Sequence, residues 1–600
     1  MKRSLTSPQL SEIISFWLVA ISLLLISACS AQLPEKKSEY SQPDNNQLSA
    51  QQIPPKPETV PELKLALPEV KLTEELLYTI LVASFAEERG DLKLANSLYL
   101  RSAIDTRDPR LAKRATQIAI FSKNYNDALT AAQLWVELKP NNLDARQSAA
   151  SLLLQQGRLE DAEPHLIWIL EQDNRSTKRQ VALANLMARS PKGSDVISLF
   201  EKITSTANRS SSQVTDTLYA TAILAQKRGK QDIALNRLEQ LLTINPNHAD
   251  GILLRAKLWF AHDKTEDAMQ SLVNYLKVNP ENFAARLTYA RMLVDTRALK
   301  EALTQFGVLA KQAPRNHDIV YGYGILAIQN NQLDIAEEQF LNLIHLKLRE
   351  AEARQSMGQI FEIRNQTDEA INWYRSVPKG EHFFASQLRA AQLISKRDGL
   401  QPARDFLNKI PASDRTEELQ KLVIEAELLQ GDQQYEESFK LFSMALKESP
   451  DNPDLLYAHA MAAEKIGRID ILEQNLTKVL EADPKNIQAL NALGYTLADR
   501  TDRISEAFEY IQRAYALDSK DPAILDSMGW ALYRMGRHKE ALEYLLRASR
   551  EHQDGEIYAH LGEVLWVSGD TRGARAIWDA ALKFDPNHPV LKKTLKRFVP

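Results

Sequence analysis

Cysteine is almost missing from this 600-residue chain: Cys29 stands alone, so no intrachain disulfide can form. Glycine is scarce, at 20 residues, while alanine, leucine and glutamine are plentiful, which favours helix over sheet. Neither sign of charge dominates. The formal charge of −4 gives no bias toward polyanions and argues against nucleic acid as a partner. Catalytic signatures are absent too: no HExxH, GxSxG or CxxC occurs. Gly229-Lys230 lacks the upstream glycine and the following Ser/Thr of a phosphate loop. Gly322-Tyr323-Gly324-Ile325-Leu326-Ala327 fits a dinucleotide-binding pattern by letters, but no strand precedes it. The eleven histidines are scattered. His552 and His560 come nearest to grouping, without helical ligand spacing, so structural or solvated roles are expected. The sequence therefore reads as a non-enzyme with no cofactor and no metal. What is present is ordinary globular composition, 44% apolar and 25% charged, over a length too great for one compact core.

The first residues read as an address. Lys2 and Arg3 precede an apolar run from Ile13 to Ile26, with the shape of a signal-peptide core. It ends in Leu25-Ile26-Ser27-Ala28-Cys29, which resembles the bacterial lipobox. Residues 1–28 are then a lipoprotein signal peptide, and Cys29 is the lipidation site. Several acyl chains anchor firmly, at about 0.8 kcal/mol per buried methylene. Ser30 stands where an aspartate would retain the protein at the inner membrane, so the resemblance implies the outer membrane, facing the periplasm. The mature formal charge becomes −5. Residues 29–71 continue as the lipidated cysteine and a linker rich in Gln, Pro, Ser, Asn and Lys, with no hydrophobic period. A flexible tether of this length reaches about 35–40 Å.

From residue 72 the chain becomes self-similar. A small residue sets the register: Ala95, Ala128, Ala162, Val196, Ala234, Ala268, Ala302, Ala336, Ala370, Ala403, Ser438, Leu472, Ala507, Ala541 and Ala574, at intervals of 33 to 38 residues. Four residues later comes a large apolar one, as in Leu272, Phe340, Tyr374, Leu545 and Trp578. About twelve later comes proline, as in Pro140, Pro280, Pro450 and Pro484, which cannot continue a helix. Twelve or thirteen before the register position several units carry glycine (Gly324, Gly358, Gly494, Gly529, Gly562), and five before it a turn glycine, such as Gly536. These positions resemble the tetratricopeptide-repeat (TPR) consensus. The resemblance implies an all-α TPR solenoid, a right-handed superhelix of about 15 helix-turn-helix units over residues 72–590, with 591–600 ending a capping helix. The unit around Val196 is weak, and Ser190-Pro191-Lys192-Gly193-Ser194 at its turn reads as a kink or hinge.

In TPR proteins the first helix of each unit lines a concave groove. The family register places Asn491, Tyr495, Asp526, Trp530, Tyr533, Arg534, Glu563 and Trp566 there in the last three units. Aromatic anchors mixed with charge suit a protein-binding surface. Earlier units offer Tyr219, Phe260, Tyr321 and Tyr457. The alternative, that the tryptophans pack between helices, stays open on sequence.

The run Asp526-Ser527-Met528-Gly529-Trp530-Ala531-Leu532-Tyr533-Arg534-Met535-Gly536, then Ala559-His560-Leu561-Gly562-Glu563-Val564-Leu565-Trp566, goes beyond a generic repeat. With the lipobox, the linker and Thr106-Arg107-Asp108-Pro109-Arg110, it resembles the LbcA-type TPR lipoproteins of proteobacteria. That resemblance implies an outer-membrane scaffold that brings a periplasmic carboxyl-terminal processing protease together with peptidoglycan hydrolases. A pilotin-like assembly factor for a pilus or secretion system is the alternative.

Overall fold

The computed structural model describes residues 70–172, 176–191, 195–205 and 211–599. The leader, Cys29 and the linker up to residue 69 lie outside the described residues, as do Lys192–Ser194 of the weak turn and Pro600. Thirty-one α-helices and no strand occur among the described residues. They fall into fifteen sequential pairs and one closing helix, matching the repeat register. The chain divides between Pro314 and Arg315 into two units. The first holds seven pairs, from Glu74–Glu88 with Leu92–Thr106 to Phe283–Asp295 with Leu299–Gln312. The second holds eight, from His317–Gln329 with Leu333–His345 to Gly555–Val567 with Thr571–Phe584, then the closing helix Pro589–Phe598.

Local chemistry punctuates each pair. The proline that follows a second helix is succeeded, two residues on, by an N-cap. Asn142, Asn282, Asn452 and Asn486 each accept a hydrogen bond from the amide three residues ahead, at 2.9–3.0 Å. Such a cap satisfies one of the unpaired amides of the first turn. The turn between paired helices needs a left-handed residue. Gly536 supplies it at φ 77°, where its successor's amide closes on the Leu532 carbonyl at 2.9 Å. Asn331 takes the same conformation at φ 55° in a unit without the glycine.

All fifteen register residues, from Ala95 to Ala574 and including Val196, Ser438 and Leu472, have no exposed surface. The large residue four positions on is buried with them: Phe340, Leu545 and Trp578 are at most 1% exposed. The glycine of the first helix lets that residue approach. A Cβ on Gly562 would stand 2.1 Å from the Trp578 indole, and one on Gly529 would stand 2.5 Å from Leu545. Gly324 meets Phe340 in the same way, so the glycines of the dinucleotide-like string include a helix-packing contact. No pair can bury its own face, so successive pairs share their cores. One such cluster runs from Leu456 through Leu476, Leu490 and Ile511 to Ala531.

At the weak turn, Ser190 and Pro191 are tied to their neighbours. The Ser190 hydroxyl donates to the Leu154 carbonyl at 2.8 Å, and Arg228 donates to the carbonyls of Ser190 and Pro191 at 2.7 and 2.8 Å. The second helix there, Val196–Ser205, is short but seats Phe200 fully buried. The helix Pro589–Phe598 buries Leu591 and leaves Lys592, Lys593 and Lys596 in solvent.

Candidate protein-binding groove

Three first helices, Ile487–Arg500, Pro522–Arg534 and Gly555–Val567, carry the eight candidate groove residues. Periodicity decides which of them meet, because side chains one repeat apart in sequence stand side by side in adjacent pairs. Asp526 and His560 are 34 residues apart, and the imidazole Nδ1 donates to the carboxylate, 2.9 and 3.0 Å from its two oxygens. The Trp530 indole stacks on His560, with ring centroids 4.1 Å apart and planes at 22°. Tyr533 lies against Trp530 at 5.2 Å and donates its hydroxyl to Glu563 at 3.1 Å. Arg597 of the closing helix reaches the same Glu563 oxygen at 3.0 Å. Tyr495 donates to Glu556, two pairs further on.

The cluster is mostly closed. Asp526, Trp530 and Glu563, expected to face a partner, are 6%, 7% and 4% exposed. They are covered because each has a partner in the next pair or on the closing helix, which the one-helix register does not reveal. Asn491, Tyr495, Tyr533, Arg534 and Trp566 remain half-buried. Arg534 reaches back to the carbonyls of Ala498, Asp499 and Thr501 at 2.6, 3.2 and 3.3 Å, so its guanidinium already serves as a tie between pairs. Trp566 stands apart from the cluster, stacked on Trp578 at 5.7 Å and near Phe598 at 6.1 Å. Of the earlier candidates, Tyr321 is buried against Phe340, whereas Tyr219, Phe260 and Tyr457 are half-buried.

Electrostatics fit a closed network. Burial by itself would lower the His560 pKa, but the charge and hydrogen bond of Asp526 override it and raise the value to about 8. The buried imidazole is then a cation at neutral pH, matched by its carboxylate. The Tyr533 phenol is raised to about 12, by burial first and by Glu563 second. Burial and the Glu556 charge raise Tyr495 further, so both phenols remain donors at neutral pH. His560, Glu556 and Arg597 were not among the sequence candidates. A search for ligand spacing within one helix passes over His560; the interval of one repeat to Asp526 is the signal that finds it.

Among the described residues no group of three or more His, Cys, Asp and Glu side chains is placed to hold a metal ion. No described helix is long and apolar enough to cross a membrane. The network ties three pairs together and leaves aromatic and amide edges at the surface, which is chemistry for holding a polypeptide.

A tetratricopeptide-repeat family profile matches residues 457–522 and 527–589, the segment that carries this network. The chain is 33% identical to the TPR repeat-containing protein PA4667 of Pseudomonas aeruginosa over 546 residues, covering 91% of this chain and 92% of that protein. It is 28% identical over 117 residues to the type IV pilus assembly protein PilF of the same organism, covering 19% of this chain and 46% of PilF. A solved tetratricopeptide repeat protein from Parabacteroides merdae aligns at 16% identity and a TM-score of 0.36, over 42% of this chain and all of that one. The long alignment at 33% identity, with the repeat register buried at every unit, makes this chain a member of the tetratricopeptide-repeat family to which PA4667 belongs.

Proposed function

We propose that this TPR protein is a non-catalytic adaptor, without cofactor or metal, lipid-anchored through Cys29 to the outer membrane and facing the periplasm. In this reading it brings a carboxyl-terminal processing protease together with cell-wall hydrolases as its substrates. The observation that carries the scaffold role is the run of fifteen helix pairs, whose last three present half-buried Asn491, Tyr495, Tyr533, Arg534 and Trp566 beside a rigid network. Rigid aromatic and arginine side chains are the residue types that anchor protein interfaces. Holding two clients on one array raises their effective concentration to about the millimolar range, without any new contact between them. The protease and hydrolase clients rest on the likeness of the last hundred residues to LbcA-type lipoproteins.

Affinity purification from membranes, with mass spectrometry of what co-purifies, tests the reading. A protease and at least one hydrolase are expected, and deletion of the gene is expected to make that hydrolase accumulate. Unchanged hydrolase levels with no co-purifying protease would sink it. The similarity to PilF over 19% of the chain favours a second reading, assembly of a pilus, for which loss of piliation on deletion is the discriminating result.

A further inference from the structure

The first unit contains a cleft of about 520 Å³ between the helices around Leu242 and Val278. Arg255 stands in it, half-buried, with its guanidinium 4.4 Å above the Trp259 ring. No carboxylate among the described residues forms an ion pair with it, and the Glu239 charge acts on it from beyond ion-pair distance. Among the described residues, one terminal nitrogen donates to the Ser271 hydroxyl at 3.1 Å and the buried Nε finds no acceptor. Arg286 and Arg291 also carry a buried Nε without an acceptor among the described residues, whereas three other half-buried arginines are ion-paired. Arg349 pairs with Asp318 at 2.8 Å, Arg404 with Glu425 at 2.7 Å, and Arg364 with both Asp334 and Glu337.

A partly desolvated guanidinium beside open space is a cation waiting for an acceptor. Burial lowers the pKa of Arg255, yet an arginine stays charged throughout the accessible pH range. The surroundings narrow the ligand. Gln270 and Asn274 line the same cleft and supply amide groups, while Leu242, Tyr275 and Val278 give it an apolar wall. Asp267 also lines it and repels any anion, a dianion more than a single negative charge. A planar monoanion matches the guanidinium fork in geometry as well as charge. The volume suits one or two side chains. Arg255 is also distinct from the groove candidates, of which its own helix carries Phe260.

We propose that this cleft is a docking site for an acidic side chain, Asp or Glu flanked by an apolar residue, in an extended segment of a protein partner. The site rests on the reading that the array grips polypeptide, and it deepens that reading by giving the first unit its own recognition chemistry.

The test is isothermal titration of the full chain at low ionic strength, to millimolar ligand, with three probes: Ac-Leu-Glu-Leu-NH2, its Gln counterpart and inorganic phosphate. The Glu peptide is expected to bind at least about tenfold more tightly than the Gln peptide, with phosphate weaker than the Glu peptide. R255Q is expected to erase the difference between the two peptides. R255K keeps the charge but loses the fork, and is expected to retain only part of the preference. Circular dichroism of both variants checks that the fold is kept; if R255Q unfolds, R255K decides. No binding, equal binding of the two peptides, or a preference unchanged in the variants would overturn the proposal. Phosphate binding as tight as the Glu peptide would overturn the assignment to a carboxylate. If the peptides fail while proteins still co-purify from membranes, this site alone is wrong. If the Glu peptide binds but nothing co-purifies, the adaptor reading is wrong.

Discussion

The close approach of Gly562 to Trp578 gives the sharpest test of the packing. In an otherwise free helix position, glycine to alanine stabilises by roughly 0.5–1 kcal/mol, through backbone entropy and helix propensity. Here the new Cβ falls 2.1, 2.5 and 2.6 Å from three atoms of the Trp578 indole. The ring cannot yield easily. It is 1% exposed, its N–H donates to the Ala559 carbonyl at 3.3 Å, and Trp566 and Phe598 stack on it. Overpacking costs about 1–3 kcal/mol and a lost hydrogen bond about 1 kcal/mol, so G562A is expected to destabilise by about 1–3 kcal/mol net. Because a repeat array opens locally, hydrogen exchange read by peptide mass spectrometry is the proper assay. Protection in Gly555–Val567 and Thr571–Phe584 should fall about 5- to 150-fold, with peptides of the first unit unchanged. Gly431 provides the control, since a Cβ there meets nothing within 4 Å, and G431A should be neutral or more protected. Equal or greater protection in G562A would refute the packing argument.

Three further outcomes follow from the same contacts. His560 has a pKa raised to about 8 from an ordinary value of 6.5, so its ion pair contributes fully below pH 6.5 and is lost as pH rises through about 8. The second unit should lose about 2 kcal/mol across that window in urea melts followed by tryptophan fluorescence, and H560Q should remove the pH dependence. W530A deletes a buried ring stacked on His560, so a loss of about 3–5 kcal/mol is expected in the same melts. Unchanged melting with lost partner binding would instead place Trp530 in an open groove. N486A removes an N-cap that accepts from the Ala489 amide at 2.9 Å and should cost about 1 kcal/mol by hydrogen exchange of Ile487–Arg500, while N486D restores protection.

The repeat period and the helical class are readable from the chain itself, because each depends on residues close in sequence. A small residue where two helices cross, a large one a turn later, a left-handed turn and a proline-then-cap step all act within a single unit. Ala541, Leu545 and Gly529 therefore carry the signature of their burial in the sequence. Burial of the candidate groove was a different matter. Whether Trp530 faces solvent depends on His560 in the next pair, and whether Glu563 does depends on Arg597 in the closing helix. Whether Arg255 is ion-paired likewise depends on where the neighbouring helices place Glu239 and Asp267. Short-range periodicity determines which face of a helix turns inward; only the stacking of one pair on the next decides which polar groups on that face find partners and which are left for another molecule.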